Sequence, residues 1–238
     1  MAKRNYAKRD TKEFNFLTEI FQWFCVCCCV MSYVFLFYRF KVEGRENIPK
    51  GKSFIVCPTH SGYLDPELVS FATKRPISYM AKKELYDIPW LCPIIVALGT
   101  FAVNREKLEI ATIRTAQAIM KTNRWLLAMF PQGTRDIPGQ ITKINQGFAY
   151  LARAAKAQIL PITIRGTEKF NKNPFVRPQI LIKIGKPFDP SKELADTMET
   201  WCNTIAELDG FEITDSARAQ IQKIREKKDK NESSNSES

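Results

Sequence analysis

The sequence predicts an α/β domain, a central mixed sheet flanked by helices, behind an N-terminal membrane-associated helical segment. Three observations predict it. Short apolar runs alternate with stretches of helical periodicity, a long uncharged run precedes them, and 238 residues at 45% hydrophobic content can bury one core without disulfide or metal staples. The expected division is an anchoring segment over residues 1–39, a folded domain over 40–215 and a charged, frayed tail over 216–238.

The anchor rests on the stretch from Ile20 to Tyr38, nineteen positions without a charge. As a helix it covers roughly the hydrocarbon thickness of a bilayer. Residues 1–19 and 39–52 each carry five Lys or Arg, so flanking charge gives no orientation. A single span and a monotopic anchor in one leaflet therefore both stay open. A second uncharged stretch, Ile88 to Asn104, contains Pro89, Pro93 and Gly99 and reads as an apolar wall or interfacial loop.

Strands are expected at Ser53–Cys57, Ile77–Met80, Phe101–Val103, Trp125–Phe130, Ile159–Ile164 and Ile180–Ile184, from length and β-branched or aromatic content. Between them, Pro66–Thr73 starts as a helix with Pro at its first position and Asp65 as its N-cap. Lys107–Lys121 and Gln146–Lys156 show helical spacing, and Leu194, Met198, Trp201, Ile205 and Leu208 form one apolar stripe.

The formal charge is +11, of which residues 1–13 carry +3 and residues 222–238 carry +1. The excess thus belongs to the body, and no zinc-finger spacing or RNA-recognition motif accompanies it. Nucleic acid is excluded as the expected partner in favour of anionic membranes and phosphorylated substrates. Four of the seven cysteines (Cys25, Cys27, Cys28 and Cys29) crowd into the apolar run, which fits a reducing environment and neither a disulfide framework nor a zinc site. No carboxylate or histidine cluster has metal-site spacing, so neither a metal nor a tightly bound cofactor is expected.

The chain has one histidine, in Thr59-His60-Ser61-Gly62-Tyr63-Leu64-Asp65-Pro66. It follows an apolar strand and precedes a helix, where ligand crevices form in α/β sheets. A carboxylate at Asp65 would fix the imidazole tautomer and leave the other nitrogen free to take a proton from a hydroxyl. A second group, Phe130-Pro131-Gln132-Gly133-Thr134-Arg135, follows the strand at Trp125–Phe130. Glycine permits close backbone approach, threonine offers a hydroxyl and arginine a planar fork suited to phosphate. Arg105 follows a third strand, and Pro161 opens a fourth.

These four pieces, in this order, resemble the glycerolipid acyltransferase family over roughly residues 40–190. His60 to Asp65 is similar to its H-x4-D motif, Arg105 to its second motif, Phe130 to Arg135 to its F-P-E-G-T-R motif and Pro161 to the start of its fourth. The resemblance implies a glycerolphosphate-acyltransferase-like fold. It also implies transfer of a fatty acyl group from acyl carrier protein or coenzyme A, as thioester co-substrate, to the 2-hydroxyl of lysophosphatidic acid, giving phosphatidic acid. His60 would be the general base and Asp65 its orienting partner, while Arg105, Gln132, Gly133, Thr134 and Arg135 would hold the acceptor. Another acceptor, such as glycerol 3-phosphate, and a non-catalytic lipid-binding role are the competing readings.

Two positions depart from the family pattern. Gln132 stands where glutamate is usual, losing a charge but keeping a hydrogen-bonding side chain of nearly equal size. Thr59 stands where asparagine or serine is frequent. Lys82 and Lys83, beside the second apolar stretch, are expected either to recruit phosphate or an acidic carrier or to be a solvated surface pair. The expected location is a phospholipid surface, on the cytoplasmic face of a bacterial-type plasma membrane.

Overall fold

Strand β2 (Phe54–Pro58) is buried at every residue, which is why it reads as an unbroken apolar run rather than an alternating one. Phe54 and Val56 face one core and Ile55 and Cys57 the other. The computed structural model describes residues 5–50, 54–103, 109–122, 124–169 and 176–236, with side chains to residue 227 apart from that of Cys29. Around β2 stand β1 (Arg39–Glu43), β3 (Ile77–Lys82), β4 (Phe101–Val103), β5 (Leu126–Ala128), β7 (Gln158–Arg165) and β8 (Gln179–Ile184). Their order across the sheet is β1-β8-β7-β2-β5-β3-β4.

The sheet is mixed. Strands β7, β2, β5, β3 and β4 run parallel, β8 is antiparallel to β7, and β1 runs parallel to β8. Carboxyl ends of adjacent parallel strands therefore meet along one edge of the sheet. The short strands β6 (Gln140–Ile141) and β9 (Glu212–Ile213) pair apart from it. β1 escapes the sequence reading because its partly exposed, charge-alternating residues lack the buried-strand signature.

One face of the sheet is covered by α5 (Ile110–Lys121), α6 (Gly147–Ala155), α7 (Leu194–Asp209) and the start of α8 (Asp215–Ser236). Trp201 of α7 is fully buried, and its indole N–H donates to the Cys57 carbonyl at 3.0 Å, pinning the helix to β2. The charged C-terminal run is helical over Asp215–Ser236. Ala217 and Ile221, four apart, bury into this core and give α8 an apolar edge that composition alone conceals.

The other face carries α3 (Asp65–Thr73) together with the N-terminal apolar helix. That helix runs continuously over Phe16–Phe37, as α1 (Phe16–Phe24), a π-helical middle (Cys25–Met31) and α2 (Ser32–Phe37). The wider π turn brings Val26 and Met31, five apart, onto one face with Val34, and all three are buried against the sheet. Gln22, which dilutes the apolar run, has a structural reason. Its amide donates to the carbonyls of Ile77 and Leu98, both at 2.8 Å, and accepts from the Ile77 N–H at 2.9 Å. Phe16, Leu17, Ile20, Phe24, Phe35 and Leu36 stay exposed on the outer side. The stretch from Ile88 divides into α4 (Leu91–Ala97) and β4, with Trp90 and Ile94 also exposed.

The N-terminal residues ahead of this helix are tied down too. Arg9 is buried, paired with Glu13 at 3.0 Å and donating to the carbonyls of Val96 and Thr100. Part of the basic N-terminus is thus framework rather than a free arm.

Candidate active site

Leaving β2, the chain first extends the sheet by one residue. Thr59 donates its N–H to the Ile162 carbonyl and accepts the Ile164 N–H on its hydroxyl, both at 2.9 Å. A hydroxyl one carbon from the backbone makes that second bond, which accounts for a hydroxyl-bearing residue at this buried position. His60 follows immediately, at the mouth of the sheet.

The loop from His60 closes on the Asp65 carboxylate. Asp65 Oδ2 accepts from the Ser61 N–H at 2.7 Å and the Gly62 N–H at 2.8 Å, and lies 2.8 Å from His60 Nδ1. Gly62 must lack a side chain, since a Cβ there would lie 2.6 Å from the Thr167 side chain. Asp65 is not the N-cap that the sequence suggests. Leu64 holds that position, and Asp65 lies inside the first turn of α3 with its fully buried carboxylate turned back to the loop. An ionised carboxylate can only accept, so Nδ1 carries the proton and Nε2 keeps its lone pair. Nε2 has no hydrogen-bond partner among the described residues.

The imidazole ends an aromatic column. Phe130, just past β5, stacks on His60 with ring centroids 4.0 Å apart and planes 19° apart. Tyr79 stacks on the far side of Phe130 at 5.6 Å, and its hydroxyl donates to the Pro66 carbonyl at 2.8 Å. The column joins β5, β3 and α3 around one ring.

Beyond Phe130 the chain turns through Gln132 and Gly133. Gly133 has φ 72°, and a Cβ would lie 2.4 Å from Asn145 Nδ2, so the position demands glycine twice over. Gln132 Oε1 accepts from the His60 N–H at 2.7 Å, linking the two motifs directly. Thr134 and Arg135 are exposed, and the Arg135 guanidinium lies 3.6 Å above the ring of exposed Tyr63. Lys143 donates to the Thr134 hydroxyl at 3.1 Å and adds a second cation beside it. Tyr63 and Lys143 escape the sequence reading. Neither has a marked spacing, and only the folded loop brings them to Thr134 and Arg135.

His60, Asp65, Gln132, Gly133, Thr134 and Arg135 therefore meet at the carboxyl ends of neighbouring strands β2 and β5. Arg105, expected beyond β4, lies outside the described residues. Lys82 and Lys83 lie at the end of β3 and are exposed. They pair with Glu84 and Glu109, each at 3.5 Å, rather than with motif residues.

A family model described as Acyltransferase matches residues 39–165, and that span carries both halves of this arrangement. The chain belongs to the acyltransferase family. Among curated relatives, the 1-acyl-sn-glycerol-3-phosphate acyltransferase of Bacillus subtilis is 30% identical over 181 residues, 71% of this chain and 87% of the relative. The protein of the same name from Streptococcus pneumoniae is 30% identical over 68% of this chain and 62% of its own length. That of Borreliella burgdorferi is 30% identical over 54% of this chain, which spans about half (52%) of that relative. The crystal structure of the 1-acyl-sn-glycerophosphate (LPA) acyltransferase PlsC from Thermotoga maritima shares the fold, with a TM-score of 0.60 at 24% identity over 84% of each chain. The α/β fold expected from the sequence is thus that of the acyltransferase family, and the chain is an acyltransferase.

Proposed function

We propose that this acyltransferase moves a fatty acyl group from a thioester to the 2-hydroxyl of 1-acyl-sn-glycerol 3-phosphate, giving phosphatidic acid. The observation that carries the reading is the 2.8 Å contact of His60 Nδ1 with a buried, acceptor-only Asp65, which leaves Nε2 as a base at the sheet mouth. The names of the relatives supply the acceptor. In this mechanism Nε2 takes the proton of the 2-hydroxyl as its oxygen attacks the thioester carbonyl. The tetrahedral intermediate collapses by expelling the thiolate, which recovers the proton from His60. General-base assistance of this kind is worth about 10² to 10⁴ in rate. Thr134, Arg135 and Arg105 hold the phosphate and align the hydroxyl.

The donor is acyl carrier protein or coenzyme A, whose common chemistry is the thioester, with Lys82 and Lys83 drawing in its acidic portion. In the decisive experiment, the protein and His60→Ala receive lysophosphatidic acid with each donor while phosphatidic acid is followed. Product from the parent alone is expected. No product from either, or equal product from both, overturns the assignment.

The membrane association is monotopic in this reading. Gln22, Val26, Met31, Val34 and Tyr38 hold the apolar helix along the domain, so a perpendicular span would drag the sheet's flank into hydrocarbon. The exposed Phe16, Leu17, Ile20, Phe24, Phe35 and Leu36, with Trp90 and Ile94, instead suit one leaflet on the cytoplasmic side. An N-terminal tag protected from protease on the opposite side of sealed vesicles would refute this arrangement.

A further inference from the structure

Gln132 is 1% exposed, and its amide faces two partners of opposite kind. Oε1 accepts from the His60 N–H at 2.7 Å, whereas Nε2 donates to Asp136 Oδ2 at 2.9 Å and to the Gln140 carbonyl at 3.3 Å. Asp136 returns to the same peptide, since its own N–H donates to the His60 carbonyl at 2.8 Å. Both backbone groups of His60 are therefore held by this pair, one by each residue.

The remaining partners of Asp136 are all donors. Oδ1 accepts from the Ile137 N–H at 2.8 Å and from the Thr142 hydroxyl, and Oδ2 accepts from the Thr142 N–H at 2.8 Å. Burial opposes the charged form, but these bonds and that from Gln132 together outweigh it and hold the carboxyl below its ordinary value. Asp136 is an anion at neutral pH, and an anion needs a donor opposite. Glutamine satisfies that demand and still offers His60 an acceptor. Glutamate would set one carboxylate oxygen about 2.9 Å from Asp136 Oδ2 and also against the Gln140 carbonyl, and two carboxylates so close cannot both ionise.

We propose that Gln132 and Asp136 form a matched pair that positions His60, in which the amide is required because the negative charge of this loop resides on Asp136. Gln132 is thus a positioning residue. The proposal rests on reading His60 as the general base.

The test compares Gln132→Glu, Asp136→Asn, the double variant and His60→Ala, by kcat and KM for lysophosphatidic acid between pH 6 and 9. Gln132→Glu should lower kcat at pH 8 by about 10- to 100-fold, with KM changed less than about threefold, as for a displaced base. Its kcat relative to the parent should rise toward pH 6 as the paired carboxylates take up a proton. Adding Asp136→Asn should restore part of kcat at pH 8, because it removes the second carboxylate, although an asparagine amide that donates to the introduced glutamate gives up the bond from the Thr142 N–H. Parental activity of Gln132→Glu across the range, or a double variant no better than Gln132→Glu, overturns the pairing.

Thermal midpoints against pH keep the two readings separable. If His60→Ala is as active as the parent, the general-base reading fails, while a pH-dependent loss of stability in Gln132→Glu that Asp136→Asn relieves still supports the pair. Should both glutamate variants fail to fold, Gln132→Met replaces them. A pH-independent loss of kcat there supports the positioning role, and full kcat overturns it.

Discussion

Phe130 lies flat against His60, with centroids 4.0 Å apart, and is itself backed by Tyr79 at 5.6 Å. The imidazole is thereby held in plane on one side while Asp65 holds its edge. Such a stack contributes about 0.5–1.5 kcal/mol, so Phe130→Ala should lower kcat by roughly 3- to 10-fold with little change in KM. Steady-state kinetics with saturating donor would check this. A variant with raised KM and unchanged kcat would place Phe130 in substrate binding instead.

Asp65→Asn keeps the size of the side chain and, because the Ser61 and Gly62 N–H groups point at the same atom as His60 Nδ1, presents its carbonyl oxygen there. What is lost is the negative charge that stabilises the imidazolium as His60 takes up the proton. A loss of about 10³- to 10⁴-fold in kcat is expected, by the general behaviour of carboxylate–histidine pairs. Circular dichroism and thermal melting should show a folded protein, so the loss is chemical.

Lys143 and Tyr63 flank Thr134 and Arg135. Lys143→Ala is predicted to raise KM for the phosphate-bearing acceptor by about 3- to 10-fold and to leave kcat nearly intact. Because the lysine is exposed, the effect should shrink as salt rises from about 10 mM to 0.5 M, where screening shortens to a few ångströms. Tyr63→Ala should act in the same direction, since Arg135 loses the surface that orients it.

Glu67 gives the fold a pH dependence of its own. Burial, aided by the Asp65 charge and opposed by a bond from its own backbone, raises its carboxyl from 4.5 to about 7. The folded state then holds a proton that the unfolded chain has released. Stability from this group is present below pH 4.5 and declines as pH rises through about 7. Glu67→Gln should match the parent near pH 4.5 and melt at a higher temperature at pH 8. Parallel melting curves across that range would contradict the assignment.

Much of this architecture was legible because parallel strands buried on both faces leave unbroken apolar runs, as in Phe54–Pro58 and Ile159–Ile164. The charge-alternating β1 and the helical tail at Ala217 and Ile221 were not, because tertiary contacts rather than local pattern decide them. The site divides in the same way. His60 and Asp65 could be paired from spacing, but a five-residue separation does not reveal whether the carboxylate turns toward its helix or toward the ring. Asp136 gave no signal in sequence, since its importance lies in which atom of Gln132 it faces.

The apolar N-terminal helix has a practical consequence. It supplies Val26, Met31 and Val34 to the core and caps the start of β3 through Gln22, so it is a wall of the domain as much as a membrane contact. Deleting it to obtain a water-soluble enzyme would strip the sheet of one covering layer and leave a sticky, partly unfolded remnant. Solubilisation should instead repaint the outside, replacing Leu17, Ile20, Phe24 and Leu36 with polar residues while every inward side chain is kept.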